Sequence, residues 1–333
     1  MAVNVDIFNP QKTVIAKGLE GKSFLVYGSN SLGKTAQCVR MSKPFVIATE
    51  SGLNATVGVA YNRVNSWADF KKLVKQFTSK ATVDKARELY DTIIIDELYA
   101  SALLCQDYIQ TVIGGGALTL GDTVEGGKVN LYQAYEKEFF KMVNTLLSCN
   151  YTVVFIGHEQ EKDGKMYPKG DKRSVDPVKD FVDYVIYLKS NGVDDDGKVI
   201  PSSAYLAETD TFFARSRFDT TPTYLPVWSA EALEEAVNIG IEGKEKESGV
   251  KAVSYEEQKA QNTSVSYDYD EVMDKLQEVG QKFAGAGKMD ELTEIVEETL
   301  GRGKKVSECT KKQLDAMVII LDNLQDRAAE LGI

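Results

Sequence analysis

The chain is poor in the residues that build transition-metal sites and disulfide frameworks. It holds one histidine, His158, and four cysteines in 333 residues. The cysteines (Cys38, Cys105, Cys149 and Cys309) are scattered, with no C-x-x-C pair among them. A structural zinc site and a disulfide-stapled fold are thereby excluded, and a reducing cytosol fits. Long hydrophobic runs are missing too. The longest, such as residues 317–321, span five or six residues, against the roughly 20 that a membrane helix needs. Residues 1–12 lack the basic start, apolar stretch and small-residue cleavage site of a targeting peptide. These absences predict a cytoplasmic protein with no membrane partner.

Basic charge is also scarce. Net charge is −11, which argues against a protein that coats nucleic acid through a broadly basic surface. The acid is uneven, however. Residues 241–333 carry 20 acidic and 13 basic side chains, a net of −7, which leaves −4 for residues 1–240. A local basic groove on the larger part is compatible with that balance.

What is present is an alternation of short β-branched or aromatic runs with longer stretches of helical period. Strands are predicted at residues 23–27, 44–49, 92–95, 152–156, 184–188, 205–208 and 211–214. Interiors such as Ile93-Ile94-Ile95 and Val153-Val154-Phe155-Ile156 are continuously apolar, as in strands buried on both faces of a mainly parallel sheet. Helices predicted at 67–77 and 131–147 supply the crossovers of an α/β fold. Residues 1–240 thus read as one α/β core. Residues 241–268 are polar and mixed in charge, and read as a linker. Residues 269–333 read as a small helical domain. Within it Thr310-x-x-Gln313 has the capping-box pattern, and Leu314, Met317, Leu321, Leu324, Ala328 and Leu331 form one apolar stripe. That stripe suits the core of a small bundle or a docking face for a partner helix.

One motif decides the chemical class. Gly28-Ser29-Asn30-Ser31-Leu32-Gly33-Lys34-Thr35 matches G-x-x-x-x-G-K-[ST], placed between an apolar strand and a predicted helix at 34–41. In such a P-loop the backbone N–H groups wrap a phosphate, glycines permit close approach, and the helix start favours negative charge. Lys34 is expected to neutralise the β- and γ-phosphates of ATP, and the Thr35 hydroxyl to complete the coordination of Mg²⁺. The run Thr92-Ile93-Ile94-Ile95-Asp96 is a Walker B pattern, an apolar strand ending in a carboxylate that reaches Mg²⁺ through water. Ligands of open α/β sheets bind at the carboxyl ends of the strands, where Asp96 falls.

Two glutamates compete to activate the attacking water. Glu97 follows Asp96 directly, as the catalytic glutamate does in AAA+-type ATPases, and Glu50 ends the second strand.

The order of P-loop, strand ending in Glu50, strand ending in Asp96 and strand 152–156 resembles a RecA-like P-loop NTPase core. More narrowly, with its start GLEGKSFLVYGSNSLGKT, it resembles phage-encoded P-loop ATPases that accompany single-strand annealing and recombination. The likeness covers roughly residues 13–226. It implies Glu50 as the catalytic glutamate. It also implies a polar γ-phosphate sensor at the end of the fourth core strand, where His158 stands with Gln160 close by. A basic pair on a late strand that reaches a neighbouring subunit's nucleotide is implied as well, matching Arg215 and Arg217, whose i, i+2 spacing puts both on one face. Departures are Ser31 and Leu32 inside the loop, and the added C-terminal helical module. The function so implied is ATP hydrolysis in DNA recombination, repair or single-strand annealing, by a homo-oligomer in the host cytoplasm. Single-stranded DNA is the expected partner. A recombination or single-strand-binding protein is expected to dock on the helical module.

Two segments are candidates for DNA contact: the glycine-rich residues 113–128, and residues 161–179 with Lys162, Lys165, Tyr167, Lys169, Lys172 and Arg173. Basic side chains interleaved with an aromatic suit a strand's backbone and bases, although Glu161, Asp163, Asp171 and Asp176 hold the net charge of the second segment down. A helicase-type motor, or a nucleotide-gated sensing protein with slow turnover, are the competing readings.

Overall fold

The computed structural model describes residues 10, 12–50, 53, 56–122, 124, 129–262 and 267–333. These fall into two compact units, Lys12–Gln261 and one that contains residues 262–333.

The larger unit follows the order β1 (Ser23–Tyr27), α1 (Lys34–Cys38), β2 (Pro44–Ala48), β3 (Ala60–Arg63), α2 (Trp67–Thr78), α3 (Val83–Leu89), β4 (Thr92–Asp96) and α4 (Leu98–Tyr108). It continues with α5 (Leu131–Leu147), β5 (Thr152–Gly157), β6 (Glu159–Lys162), β7 (Lys165–Pro168), α6 (Val175–Phe181), β8 (Tyr184–Lys189), β9 (Ser203–Tyr205), β10 (Arg215–Ser216), β11 (Tyr224–Leu225), α7 (Ala230–Ser248) and α8 (Tyr255–Asn262). Among the described residues one nine-stranded sheet runs β11-β9-β8-β1-β5-β4-β2-β3, with β10 beside β8. Its centre is parallel: β1 lies between β5 and β8, and β4 between β5 and β2. The late strands β9, β10 and β11 pair antiparallel. This is the mainly parallel α/β architecture of a RecA-like P-loop fold.

The apolar interiors explain the stacking order. All five residues of β1 and all six of β5 are buried, which only a sheet covered on both faces allows. One layer packs α2, α4 and α5 on the sheet through Trp67, Phe70, Ala102, Cys105, Tyr135 and Phe139. The other packs α7 through Leu233, Ala236 and Val237. Each fully buried aliphatic or aromatic side chain of this kind contributes about 1.5–3 kcal/mol. Ser66 caps α2 by accepting the Asp69 N–H at 3.2 Å, and the buried face of Trp67, Phe70, Leu73, Val74 and Phe77 recurs at helical spacing.

Several expectations shift. The strand predicted at 205–208 lies at Ser203–Tyr205 instead. Residues 211–214 do not join the main sheet: Met166 N–H donates to Thr211 O and Phe213 N–H to Met166 O, and Phe212 stacks on Tyr187 at 4.6 Å. The helix predicted at 34–41 stops at Cys38, because Arg40 and Met41 turn back to Gln37 O and Cys38 O in tighter turns. The polar residues 241–261 are not a linker. Helix α7 runs on to Ser248, Ile241 and Ala252 are buried, and Val253 exchanges backbone hydrogen bonds with Ile15 and Lys17. Their polarity is that of an outer helix face. Residues 263–266 lie outside the described ones.

The second unit contains α9 (Tyr269–Gly285), α10 (Met289–Leu300) and α11 (Leu314–Leu331) around Val272, Leu276, Phe283, Val296, Met317, Leu321 and Leu324. The Thr310–Gln313 capping box forms as read, over a short 3₁₀ turn that leads into α11. The stripe is core: Met317, Leu321, Leu324 and Ala328 are all buried. No helix among the described residues is long and apolar enough to cross a membrane.

Candidate nucleotide site at the carboxyl edge of the sheet

Strand β1 delivers residues 28–35 to the carboxyl edge of the sheet. Gly28 has φ 151°, and a Cβ there would lie 2.6 Å from the Leu188 carbonyl oxygen, so only glycine fits. Ser31 and Gly33 turn the loop through positive φ, 62° and 78°. Leu32, bulky for such a loop, points into the core layer beneath α7 rather than into the site. Trp228 Nε1 donates to Gly33 O at 3.3 Å and braces the loop from behind, a support 195 residues away in sequence that no local pattern signals.

Lys34 is 7% exposed. Its Nζ donates to Gly28 O at 2.9 Å and Ser29 O at 2.5 Å. Burial lowers its pKa, while Asp96, Glu159, Glu97 and Glu50 counteract that shift. These five side chains are therefore one electrostatic cluster.

Thr35 Oγ1 donates to Asp96 Oδ2 at 2.8 Å. Burial raises the Asp96 pKa and Glu50 adds to that; Thr35, Lys34 and His158 oppose it. A hydroxyl and a half-buried carboxylate in contact fit Mg²⁺, which takes few protein ligands and keeps its remaining sites for water and phosphate oxygens. A divalent cation would also relieve the cost of an ionised Asp96 in this setting.

The two glutamates differ sharply. Glu97 is 3% exposed; its Oε1 accepts the Ala100 N–H at 2.7 Å and caps α4, while Oε2 is buried with no hydrogen-bond partner. Burial first, with Glu50 adding, pushes its pKa up to about 7, against the Ala100 and Tyr99 N–H groups. The Glu50 side chain is 46% exposed, and its Oε2 lies 3.9 Å from His158 Nε2. The strand ends thus bring Glu50, Asp96 and His158 together beside the P-loop, as the sequence implied. Gln160 is turned away, donating to Pro168 O and Gly170 O.

Arg215 and Arg217 are not part of this cluster. Strand β10 pairs with Tyr184 and Val185 at the start of β8, the sheet edge opposite the P-loop. Arg215 donates to Asp180 O and Val182 O, both at 2.8 Å, and Arg217 to Phe181 O at 2.8 Å. Their shared face is used to cover the carboxyl end of α6.

Sequence reasoning missed Glu159. The Ser29 hydroxyl donates to its Oε1, so a carboxylate of β6 reaches into the phosphate loop. Its only sequence signal was adjacency to His158. Segment 161–179, a candidate for DNA contact, forms the β6–β7 hairpin and α6 over much of its length. Lys169 lies over the Tyr99 ring at 5.3 Å and Arg173 over Tyr132 at 4.4 Å. Lys165 is drawn off to Glu208 at 2.5 Å. Residues 123 and 125–128 of the glycine-rich candidate lie outside the described residues.

A family model described as an AAA domain matches residues 20–218 of the chain, the span from the start of β1 to just beyond β10. The chain is also similar to the SPbeta prophage-derived uncharacterized protein YorG of Bacillus subtilis (strain 168), 49% identical over 332 residues, which covers 98% of this chain and 99% of that protein.

Proposed function

Because the chain belongs to the AAA-domain family, we propose that it binds ATP with Mg²⁺ and hydrolyses it, and that it does so in phage DNA recombination or single-strand annealing. The observation that carries the ATPase reading is the meeting of Lys34, Thr35, Asp96 and Glu50 at one sheet edge. Loop N–H groups and Lys34 hold the phosphates. Thr35 and Asp96 hold the Mg²⁺, which when bound supplies charge neutralisation at the phosphate oxygens. Glu50, open to water and beside His158, takes the proton from the attacking water; His158 stands where it can sense the γ-phosphate.

The DNA part of the reading is supported by Lys169 and Arg173 over tyrosine rings near this same edge, since cation-and-ring pairs suit the backbone and bases of a single strand. The prophage origin of the relative agrees with it. Assembly into a homo-oligomer belongs to the same reading. The test is the ATPase rate with and without single-stranded DNA, together with DNA binding by a Lys169→Glu/Arg173→Glu variant. Wild type should bind and be stimulated, and the variant should bind more weakly with a shallower salt dependence. Absence of binding by wild type even at low salt would remove the DNA part and leave the ATPase reading standing.

A further inference from the structure

Four carboxylates act on the charge of Lys34: Asp96, Glu159, Glu97 and Glu50. Three have roles in the site described above, and Glu159 has none. It is not a wandering surface group. Its backbone is paired in the hairpin, opposite Pro168, and the neighbouring His158 carbonyl accepts the Lys169 N–H at 2.8 Å. The hairpin is tied to the strand that feeds the P-loop, because the Tyr27 hydroxyl meets Met166 O at 3.2 Å and Phe213 O at 2.5 Å. So held, Glu159 accepts from the Ser29 hydroxyl through Oε1, while Oε2 is shut off from solvent and the Tyr187 phenol lies close enough to interact with the carboxylate.

Lys34 is the side chain that a polyphosphate must engage in such a loop, and the loop backbone on which Ser29 sits is what wraps the phosphate. Here Ser29 is committed to Glu159, and Lys34 to the carbonyls of Gly28 and Ser29. A polyphosphate entering the loop must draw Lys34 off those carbonyls, and it meets the negative charge of Glu159, held against the loop by Ser29, as it does so. We propose that Glu159 lowers nucleotide affinity by holding a negative charge against the phosphate loop through Ser29, where it repels the entering phosphates and competes with them for the charge of Lys34. The proposal rests on the nucleotide-site reading, and names a residue that tunes that site without taking part in the chemistry.

Charge competition has a signature that a structural role lacks: it grows with the charge of the ligand. Calorimetric titrations of wild type, Glu159→Gln and Lys34→Ala with ATPγS, ADP and adenosine read it directly. Glu159→Gln keeps the shape and the Ser29 contact and loses the charge. It should bind ATPγS about tenfold more tightly than wild type, by the Coulomb interaction of nearby charges in a partly screened site. ADP should gain less, and adenosine nothing. Glu159→Asp, which keeps the charge and shortens the reach, should tighten less than Gln and serves if the Gln variant fails to fold. Unchanged or weaker ATPγS binding by Glu159→Gln, or an equal gain for all three ligands, overturns the proposal while wild-type binding that Lys34→Ala abolishes keeps the nucleotide site intact. If wild type binds neither ATPγS nor ADP, the site reading falls and the proposal with it.

Discussion

Glu97 and Ala100 are joined by a 2.7 Å hydrogen bond from the Ala100 N–H to Glu97 Oε1, which turns the carboxylate next in sequence to Asp96 into a helix cap. An N-cap contact of this kind contributes about 1 kcal/mol, and it holds the side chain where water does not reach it. Glu50 carries no such duty and its side chain is half open to solvent. The division predicts that Glu50→Gln lowers kcat by about 10²-fold or more while ATP binding persists. Glu97→Gln, whose amide oxygen can still cap α4, should lower it by less than about tenfold by the same reasoning. Steady-state assays of the two variants side by side decide the matter; the reverse ranking assigns water activation to Glu97.

Arg215 binds two carbonyls at the end of α6 within its own subunit. Charge-assisted bonds at a half-exposed site are each worth around 1 kcal/mol. Arg215→Ala should therefore destabilise the core by about 1–2 kcal/mol, visible as a melting temperature lowered by about 2–6 °C. Mixing it with Lys34→Ala subunits should restore no activity. Complementation in that mixture would instead mean that Arg215 leaves α6 to serve a neighbour's nucleotide.

Lys22 is buried at the opposite edge of the sheet, its Nζ on Ala16 O at 2.8 Å. Burial lowers its pKa to about 8, against the attraction of Asp183 and Glu20. The unfolded chain, with an ordinary lysine, binds more protons than the folded one between about pH 8 and 10.5, so stability rises with pH across that window. Denaturant titrations should show a gain of about 1–2 kcal/mol between pH 8 and 9.5, and this gain should vanish in Lys22→Met. An equal slope in the variant would show that Lys22 keeps its charge on folding.

Much of this was legible in the chain. Uninterrupted runs such as Ile93-Ile94-Ile95 announced the central strands, because burial on both faces leaves no room for polar alternation. The P-loop and Asp96 were legible because phosphate and magnesium chemistry constrain residue type and spacing together. The edge strand β3 was not, since three of its four residues are exposed and nothing forces an apolar pattern there. Nor was the fate of residues 241–261, whose polar outer face concealed Ile241 and Ala252. Glu159, Trp228 and the arginines show where sequence reasoning stops. Ser29 meets Glu159, Gly33 meets Trp228, and Arg215 meets Asp180 across 130, 195 and 35 residues, pairings set by strand order and not by any local motif.

In the function proposed, residues 28–35 bind a nucleotide for hydrolysis through Lys34, the cation of the loop. Phosphate release from ATP by wild type and by Lys34→Ala, each checked for folding by its thermal transition, tests it most directly. Removing a preorganised charge at the transferring phosphate costs about 10²–10³-fold or more in rate. Wild type should hydrolyse ATP in a magnesium-dependent way, and a folded Lys34→Ala protein should lose at least that much of the rate. Near-normal hydrolysis by folded Lys34→Ala, or no nucleotide binding by wild type, would contradict it.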